Sequence, residues 1–439
     1  MFETLRNAWR VKEIRMKILY TLMILLVFRI GSFLPVPFID IEALKGVISS
    51  SDSGAFFNYL NVITGGAMEY GALFSMSITP YINASIIMQL LTVAIPALER
   101  IAQEGQEGQK KIAKYTRFAT VILGLIQGTA FWWWLFASNP ESSTATSYIL
   151  AETTFEKVFS AIVIILCFTA GSALMMWLGE RIDENGIGNG ISTILFAGII
   201  SRLPRAVTAL YSYLVDGKKY VEVPVIIVIF IAVILFIVWM QFAERRIPIQ
   251  YAKRVVGRKQ YGGQNSHMPI KVNMSGVLPI IFASSILMIP QQILQFMNPS
   301  NTSATSTWYR VLTLLDYKSW SYAIIYFALI IAFAYFYTSI QYNPVEMANN
   351  LRKNNGAIPG IRPGKPTQVF IKNILSRITL IGAIFLGIIA VLPIVIGQFV
   401  SIDVSLGGTS MLIVVGVAID TVQSLESQMM MRHYKGFLD

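Results

Sequence analysis

Ten stretches of this 439-residue chain are apolar over lengths that can cross a lipid bilayer: roughly residues 18–34, 72–95, 118–137, 158–178, 187–203, 223–243, 274–297, 319–343, 378–400 and 404–424. A helix of about 20 apolar residues spans the ~30 Å hydrocarbon core, and nearly all of these runs are free of charge. Backbone groups in hydrocarbon must be satisfied within the protein, which leaves helices as the solution for such runs. The expected fold is therefore an all-α polytopic membrane protein with ten transmembrane helices. Composition agrees, with 54% hydrophobic and only 13% charged residues, against about a quarter charged in soluble domains.

Orientation follows from the basic residues, because cytoplasmic segments are enriched in Lys and Arg. With the amino terminus inside, 26 of the 35 fall in cytosolic segments, 8 outside and Arg29 within the first run. Ten spans then put both termini in the cytosol. Trp132, Trp133 and Trp134 come at the outer end of the third span, where amphipathic rings favour the headgroup layer. The basic start, Met1 to Lys17, has Phe2, Leu5 and Trp9 at helical spacing and reads as a surface-lying amphipathic helix. No small-residue cleavage site follows the first apolar run, so it reads as an uncleaved anchor. The single cysteine, Cys167, excludes an internal disulfide and reads as a core residue.

The ten spans divide into two halves of five, residues 1–215 and 216–439. An odd number per half forces opposite orientations, the inverted arrangement of many transport proteins, with a pathway at the interface. Between the first two spans, residues 55–71 (AFFNYLNVITGGAMEYG) are apolar, too short to cross, and cut by Gly65 and Gly66. They are expected to form a re-entrant half helix, which survives only where protein or a water cavity surrounds it.

Two connections on the cytosolic side are unusually long. Residues 244–273 hold seven Lys or Arg against Glu244, and residues 344–377 hold six against Glu346. Loops of this length are usually functional, and these offer docking surfaces for anionic or acidic partners, anionic membrane lipids among them. The chemistry of an ion-coupled transporter is poorly represented. Such a protein needs ionisable ligands near the midplane, whereas Arg29 and Asp420 lie toward the ends of their spans with no evident partner. His267 and His433 have no metal-ligand spacing, so neither a metal nor another cofactor is expected. The glycines of GIGNG (Gly186, Gly188, Gly190) follow no strand and read as the start of a helix. A membrane-embedded enzyme lacks a credible nucleophile, base or metal set, and an inverted-repeat solute transporter is the main rival to a channel.

Five segments carry a resemblance: PYINASIIMQLLT (80–92), GERIDENGIGNGIS (179–192), RRIPIQYAKRVVGRKQYGGQNSHMPIKVNMSGVLP (245–279), NPVEMANNLRKNNGAIPGIRPGKPT (343–367) and LGGTSMLIVVGVAID (406–420). In this order they resemble the SecY family, the central channel subunit of the bacterial protein translocase, and the similarity covers essentially the whole chain. Ser266 stands where such sequences often have Thr. The resemblance implies a channel of the bacterial cytoplasmic membrane that passes unfolded, signal-sequence-bearing polypeptides and releases apolar segments sideways into lipid. It implies the partners SecE, SecG, the SecA ATPase and the ribosome. No nucleotide-binding motif is present, so energy would come from a motor, from chain elongation or from the membrane potential.

Residue by residue, the family's pore ring falls on Ile82, Ile86, Leu195, Ile281 and Ile413, Leu195 replacing the usual isoleucine. A ring of branched apolar side chains can close by dewetting. The segment at about 55–71 resembles the family's plug, centred on Asn61, Val62, Ile63, Thr64, Gly65, Gly66, Ala67 and Met68. The lateral gate would lie between the second and third spans and the seventh and eighth, with Thr92, Gln127 and Asn189 as its polar cluster. In the loops, Lys253, Arg254, Arg258, Lys259 and Arg362 would meet the motor or the phosphates of ribosomal RNA.

Overall fold

The computed structural model of the protein describes residues 6, 8–49, 61, 64–137, 149, 153–215, 220–251, 254–256, 259–261, 266–296, 319–399 and 408–435. Each of the ten apolar runs carries a helix: α1 (Lys12–Gly31), α3 (Thr79–Ala94), α5 (Gln106–Ala137), α6 (Thr154–Asn185), α7 (Gly190–Ser201), α9 (Glu222–Gln241), α10 (Leu278–Phe296), α11 (Trp320–Gln341), α13 (Lys365–Phe399) and α14 (Gly408–Lys435). Shorter helices join them: α2 (Ile41–Ser49), α4 (Pro96–Gln103), α8 (Leu203–Val215) and α12 (Pro344–Lys353). Among the described residues, seven segments are long and apolar enough to cross a membrane alone, and α3 with α4, bent by 101° at their junction, makes an eighth. α1 and the apolar stretch Leu278–Pro290 occupy the other two runs.

Local chemistry sets the helix ends. The second run was expected from residue 72, but α3 starts only at Thr79, with Pro80 in its first turn, where a missing N–H is harmless. Residues 72–78 are turns and an isolated bridge, pinned by the Ser75 hydroxyl, which donates to the carbonyls of Ala67 and Ala72. α6 opens on a capping box between Thr153 and Glu156. The GIGNG turn does start a helix: the Asn189 side chain caps α7, and the Gly190 N–H donates to Asp183 Oδ1 at 2.7 Å. A Cβ at Gly190 would sit 2.0 Å from the Gly179 carbonyl oxygen, so only glycine lets α7 pack this closely on α6.

The amino-terminal segment is helical at Arg6 and at residues 8–10, bends at Val11 and continues as α1 from Lys12, so the break falls earlier than Lys17, while Phe2 and Leu5 lie outside the described residues. Trp9 is half exposed, whereas Ala8 and Ile14 are buried against Ile187 and Leu425, so one face of the segment meets the protein interior. The tryptophans also divide. Trp133 is half exposed, as an interfacial ring should be, but Trp134 is buried with Phe131, Leu135 and Phe168.

The two basic loops form one small body. β1 (Glu244–Tyr251) pairs antiparallel with β4 (Ser266–Lys271), and β5 (Gly356–Ala357) adds to the other edge of β1. β2 (Arg254–Val256) and β3 (Lys259–Tyr261) pair antiparallel in a second ribbon. In β1 the alternation is Ile247 and Ile249 inward, Arg246, Pro248 and Gln250 outward. Ile247 and Ile270 share a core with Ala348, Ile358, Ile371 and Leu375, so both loops are fixed to the base of α13.

Across the bundle, α5 packs on α6 and α3, α11 on α13 and α10, and α14 on α7, α9 and α13. α10 also packs on α3 and α5.

Candidate functional site

The helices share one large hydrophobic cluster. Ile82 and Ile86 reach it from α3, Leu195 from α7, Ile281 from α10 and Ile413 from α14. All five proposed ring residues are present, each at most 9% exposed, with Ile78, Ile199, Val277 and Leu412 beside them. Successive turns explain Ile82 and Ile86, because residues four apart share a helix face. The five ring side chains, branched and drawn from four helices, carry no group to hold a water chain, and they can part without breaking any side-chain hydrogen bond of their own.

Further along α7 from Leu195, its end meets the segment between α1 and α3. Asn61 and Thr64 to Glu69 are all buried, whereas Val62 and Ile63 lie outside the described residues. The segment turns tightly: the Gly66 N–H donates to the Asn61 carbonyl at 2.9 Å, and Gly65 and Gly66 have φ of +66° and +93°. These left-handed values end any right-handed helix. Asn61 is helical, and past the turn at residues 64–66 the chain continues as a short 3-10 helix, Ala67–Tyr70, while residues 55–60 of the expected half helix lie outside the described residues. A Cβ at Gly65 would lie 3.0 Å from Ser201 Oγ and 3.1 Å from Gly198 Cα, so the segment is seated on the end of α7.

The polar contacts of that seat were not foreseen. Arg29, expected to lack a partner, donates to the Gly65 carbonyl at 2.9 Å and to Ser201 Oγ at 3.1 Å. Its guanidinium lies 4.5 Å from the Phe33 ring centroid. Glu69 takes Arg202 on Oε1 at 2.9 Å and Arg205 on Oε2 at 2.5 Å, and Asn61 Nδ2 donates to Oε1 at 2.5 Å. Glu69 lies between spans. Burial alone raises its pKa, but the hydrogen bond from Arg205, the charges of Arg202 and Arg205 and the Asn61 bond outweigh this and hold it below the ordinary value. One sequence signal pointed to the pair: Glu69 is the sole charge in 55–71, and Arg202 and Arg205 stand at the end of the fifth span that the charge bias expects to be poor in basic residues.

The other expected residues stand as follows. Thr92 on α3 donates to the carbonyl of Gln89, and Asn189 accepts from Ser192 N–H, so these bonds stay within their own helices. Gln127 is half-buried on α5. The α10 seam against α3 and α5 is apolar at one end, where Met288 joins Phe131, Trp134 and Phe168. Arg254 lies in β2 and Lys259 in β3, near opposite ends of one ribbon. Lys253 and Arg258 fall outside the described residues. Arg362 is exposed, its carbonyl held by the Thr367 hydroxyl at 2.9 Å.

A family model described as SecY matches residues 72–422. The protein translocase subunit SecY of Bacillus subtilis (strain 168) is 42% identical over 447 residues, covering 100% of both chains. Among solved structures, one concerns the SecY plug domain, said there to stabilise the closed state of the translocation channel and maintain a membrane seal. It superposes with a TM-score of 0.64 at 20% identity, over 94% of this chain and 92% of that one. Sec61 in a canine ribosome-channel complex from the endoplasmic reticulum gives 0.60 at 18% identity, with the same coverage.

Proposed function

The chain belongs to the SecY family, and on that premise we propose that it is the central, protein-conducting subunit of a bacterial translocase. It passes unfolded, signal-sequence-bearing polypeptides across the cytoplasmic membrane and releases apolar segments laterally into lipid. The observation that carries this reading is the convergence of Ile82, Ile86, Leu195, Ile281 and Ile413 in one buried cluster. Aliphatic groups can yield to an extended peptide and close behind it without selecting a sequence, and they exclude ions by dewetting when the path is empty.

Asn61 and residues 64–68 are the described part of a plug beneath this ring, and the packing of α10 on α3 and α5 supports a lateral gate there. Polar contacts between membrane helices are worth only about 0.6–2 kcal/mol, so Thr92, Gln127 and Asn189 suit a gate that an apolar signal helix can displace. Residues 1–215 and 216–439 act as inverted halves, with both termini cytosolic. The β1, β4, β5 body then faces the cytosol, where Lys253, Arg254, Arg258, Lys259 and Arg362 meet the ribosome or SecA. SecE and SecG are the other subunits. The chain itself supplies no covalent chemistry in this reading. An ion-coupled transporter is the weaker alternative, because the place where its ligands would converge is aliphatic.

The test is reconstitution with SecE, SecA and ATP in sealed vesicles with a secretory precursor outside. The expected result is precursor that becomes protease-protected only with ATP and SecA. No protection from a well-folded complex overturns the proposal.

A further inference from the structure

A buried carboxylate is out of place in a glycine-rich segment that must leave its seat. Glu69 is 9% exposed, and the side chains before it from Thr64 to Met68 are small or apolar. A charge is kept in such a place only when paired and hydrogen-bonded. Its partners come from one direction. Arg202 follows α7 directly, Arg205 stands in the first turn of α8, and Asn61 belongs to the segment itself. One step along, Arg29 of α1 holds the Gly65 carbonyl and bridges to Ser201 of α7. The Val36 N–H also donates to the Gly71 carbonyl, and Lys45 of α2 lies over the Tyr70 ring, so the described polar ties from this segment to other elements end on α1, α2, their connection, and the α7–α8 corner, all within the first five spans.

We propose that Glu69, Arg202, Arg205 and Arg29 form a clasp that positions the plug on the first half of the molecule. This rests on reading the segment as a plug. The aliphatic ring makes the seal, but apolar contact is non-directional and cannot fix a Gly-Gly turn at one height. The clasp does so, through charge-assisted hydrogen bonds of defined geometry. When α10 parts from α3 and α5, the plug stays with α7, and its release requires Glu69 to leave Arg202. That pair carries the positioning, since its side chains are 14% and 12% exposed, whereas Arg205 is 66% exposed and its bond is screened by solvent. Arg205 is a guide that receives Glu69 at the rim.

The experiment uses the intact reconstituted complex in planar bilayers and reads resting ion conductance, with the thermal midpoint of each purified complex measured alongside. Glu69→Gln and Arg202→Gln are each expected to raise the conductance by on the order of tenfold, the loss of a charge-assisted bond setting the scale. The double variant is expected to leak no more than either single one, because both break the same pair. The swap Glu69→Arg with Arg202→Glu is expected to restore most of the seal, which a merely structural role would not do. Deletion of residues 60–68 is the reference for an absent plug. If the deletion leaks and both single variants stay as tight as the parent, the clasp is wrong and the plug reading stands. If the deletion is tight as well, the plug reading itself fails and takes the clasp with it. Leaky single variants with a depressed midpoint and no recovery in the swap also overturn the proposal, by making these residues general supports of the fold.

Discussion

The proposed constriction and the proposed plug seat share a helix and are built of opposite materials. α7 presents Leu195 to the central cluster, and one turn later Gly198 and Ser201 meet Gly65. On the first side the five ring residues are all branched hydrocarbon. On the second are three arginines, a buried carboxylate and two glycines at positive φ. The difference teaches a division of labour. A seal that must widen around any sequence is best made of groups without directional bonds, whereas a part that must return to one place needs them. Leu195 in place of isoleucine is tolerable in the first setting, because volume is kept. Glu69 and Gly65 have no such latitude.

The sharpest attempt to break that contrast puts a directional group into the non-directional side. Ile413 is 6% exposed in the central cluster. Ile413→Asn adds an amide whose unsatisfied burial is worth about 1–3 kcal/mol, and water entering to satisfy it reopens the path that dewetting had closed. Resting conductance in planar bilayers is expected to rise more than tenfold, and signal-sequence requirements to loosen, because less differential binding is needed to open a less stable closed state. Ile413→Leu should stay near the parent. An asparagine variant as tight as the parent would show that closure does not depend on dryness.

A smaller effect is expected from sterics on the other side. Gly65→Ala and Gly66→Ala share a left-handed backbone, worth roughly 1–2 kcal/mol of strain for a residue with a Cβ. They differ in space: at Gly65 the new methyl meets Ser201 and Gly198, and at Gly66 nothing lies within 4 Å. A few-fold rise in resting conductance is expected for Gly65→Ala and a smaller one for Gly66→Ala. Equal conductances for the two would mean that close seating on α7 is immaterial and only the turn counts.

Much of this was legible in the chain, and what was not has a physical reason. The spans follow from continuous apolar runs, which need no partner to be recognised, and Ile82 with Ile86 lie one turn apart on a single helix. The β1 strand was missed because ERRIPIQY offers only Ile247 and Ile249 as an alternation among polar neighbours, and β5 lies about a hundred residues further on. The clasp was missed for the same cause. Glu69 and Arg202 are 133 residues apart, no periodicity joins them, and each alone looks like a stray surface charge. Arg29 looks unpaired in the sequence because one of its acceptors is a backbone carbonyl, which composition cannot reveal. In the segment at 55–71 the two consecutive glycines set where a right-handed helix must stop, and that much is legible from the sequence.

The smallest expected effect is the acid response of the clasp, and its sign is fixed by the surroundings of Glu69. Arg202 and Arg205 face the carboxylate from the α7 and α8 junction, and Asn61 from the plug turn. Nearby, Arg29 of α1 holds Gly65, and Lys45 of α2 lies 4.4 Å from the Tyr70 ring centroid. The seated carboxyl titrates below its ordinary value, whereas a displaced plug exposes Glu69 to water, where the pKa is about 4.3. The seated state therefore binds protons less readily, and its advantage is fully present above about pH 4.3 and falls as pH drops through the seated value. Resting conductance should be flat from neutral pH down to about 5 and climb only below about 4, on the face that carries the plug. Glu69→Gln should be leaky from the start and lack this climb. A parent channel whose conductance rises between pH 7 and 5 would place the controlling proton on some other group, and the clasp would no longer account for how the plug is held.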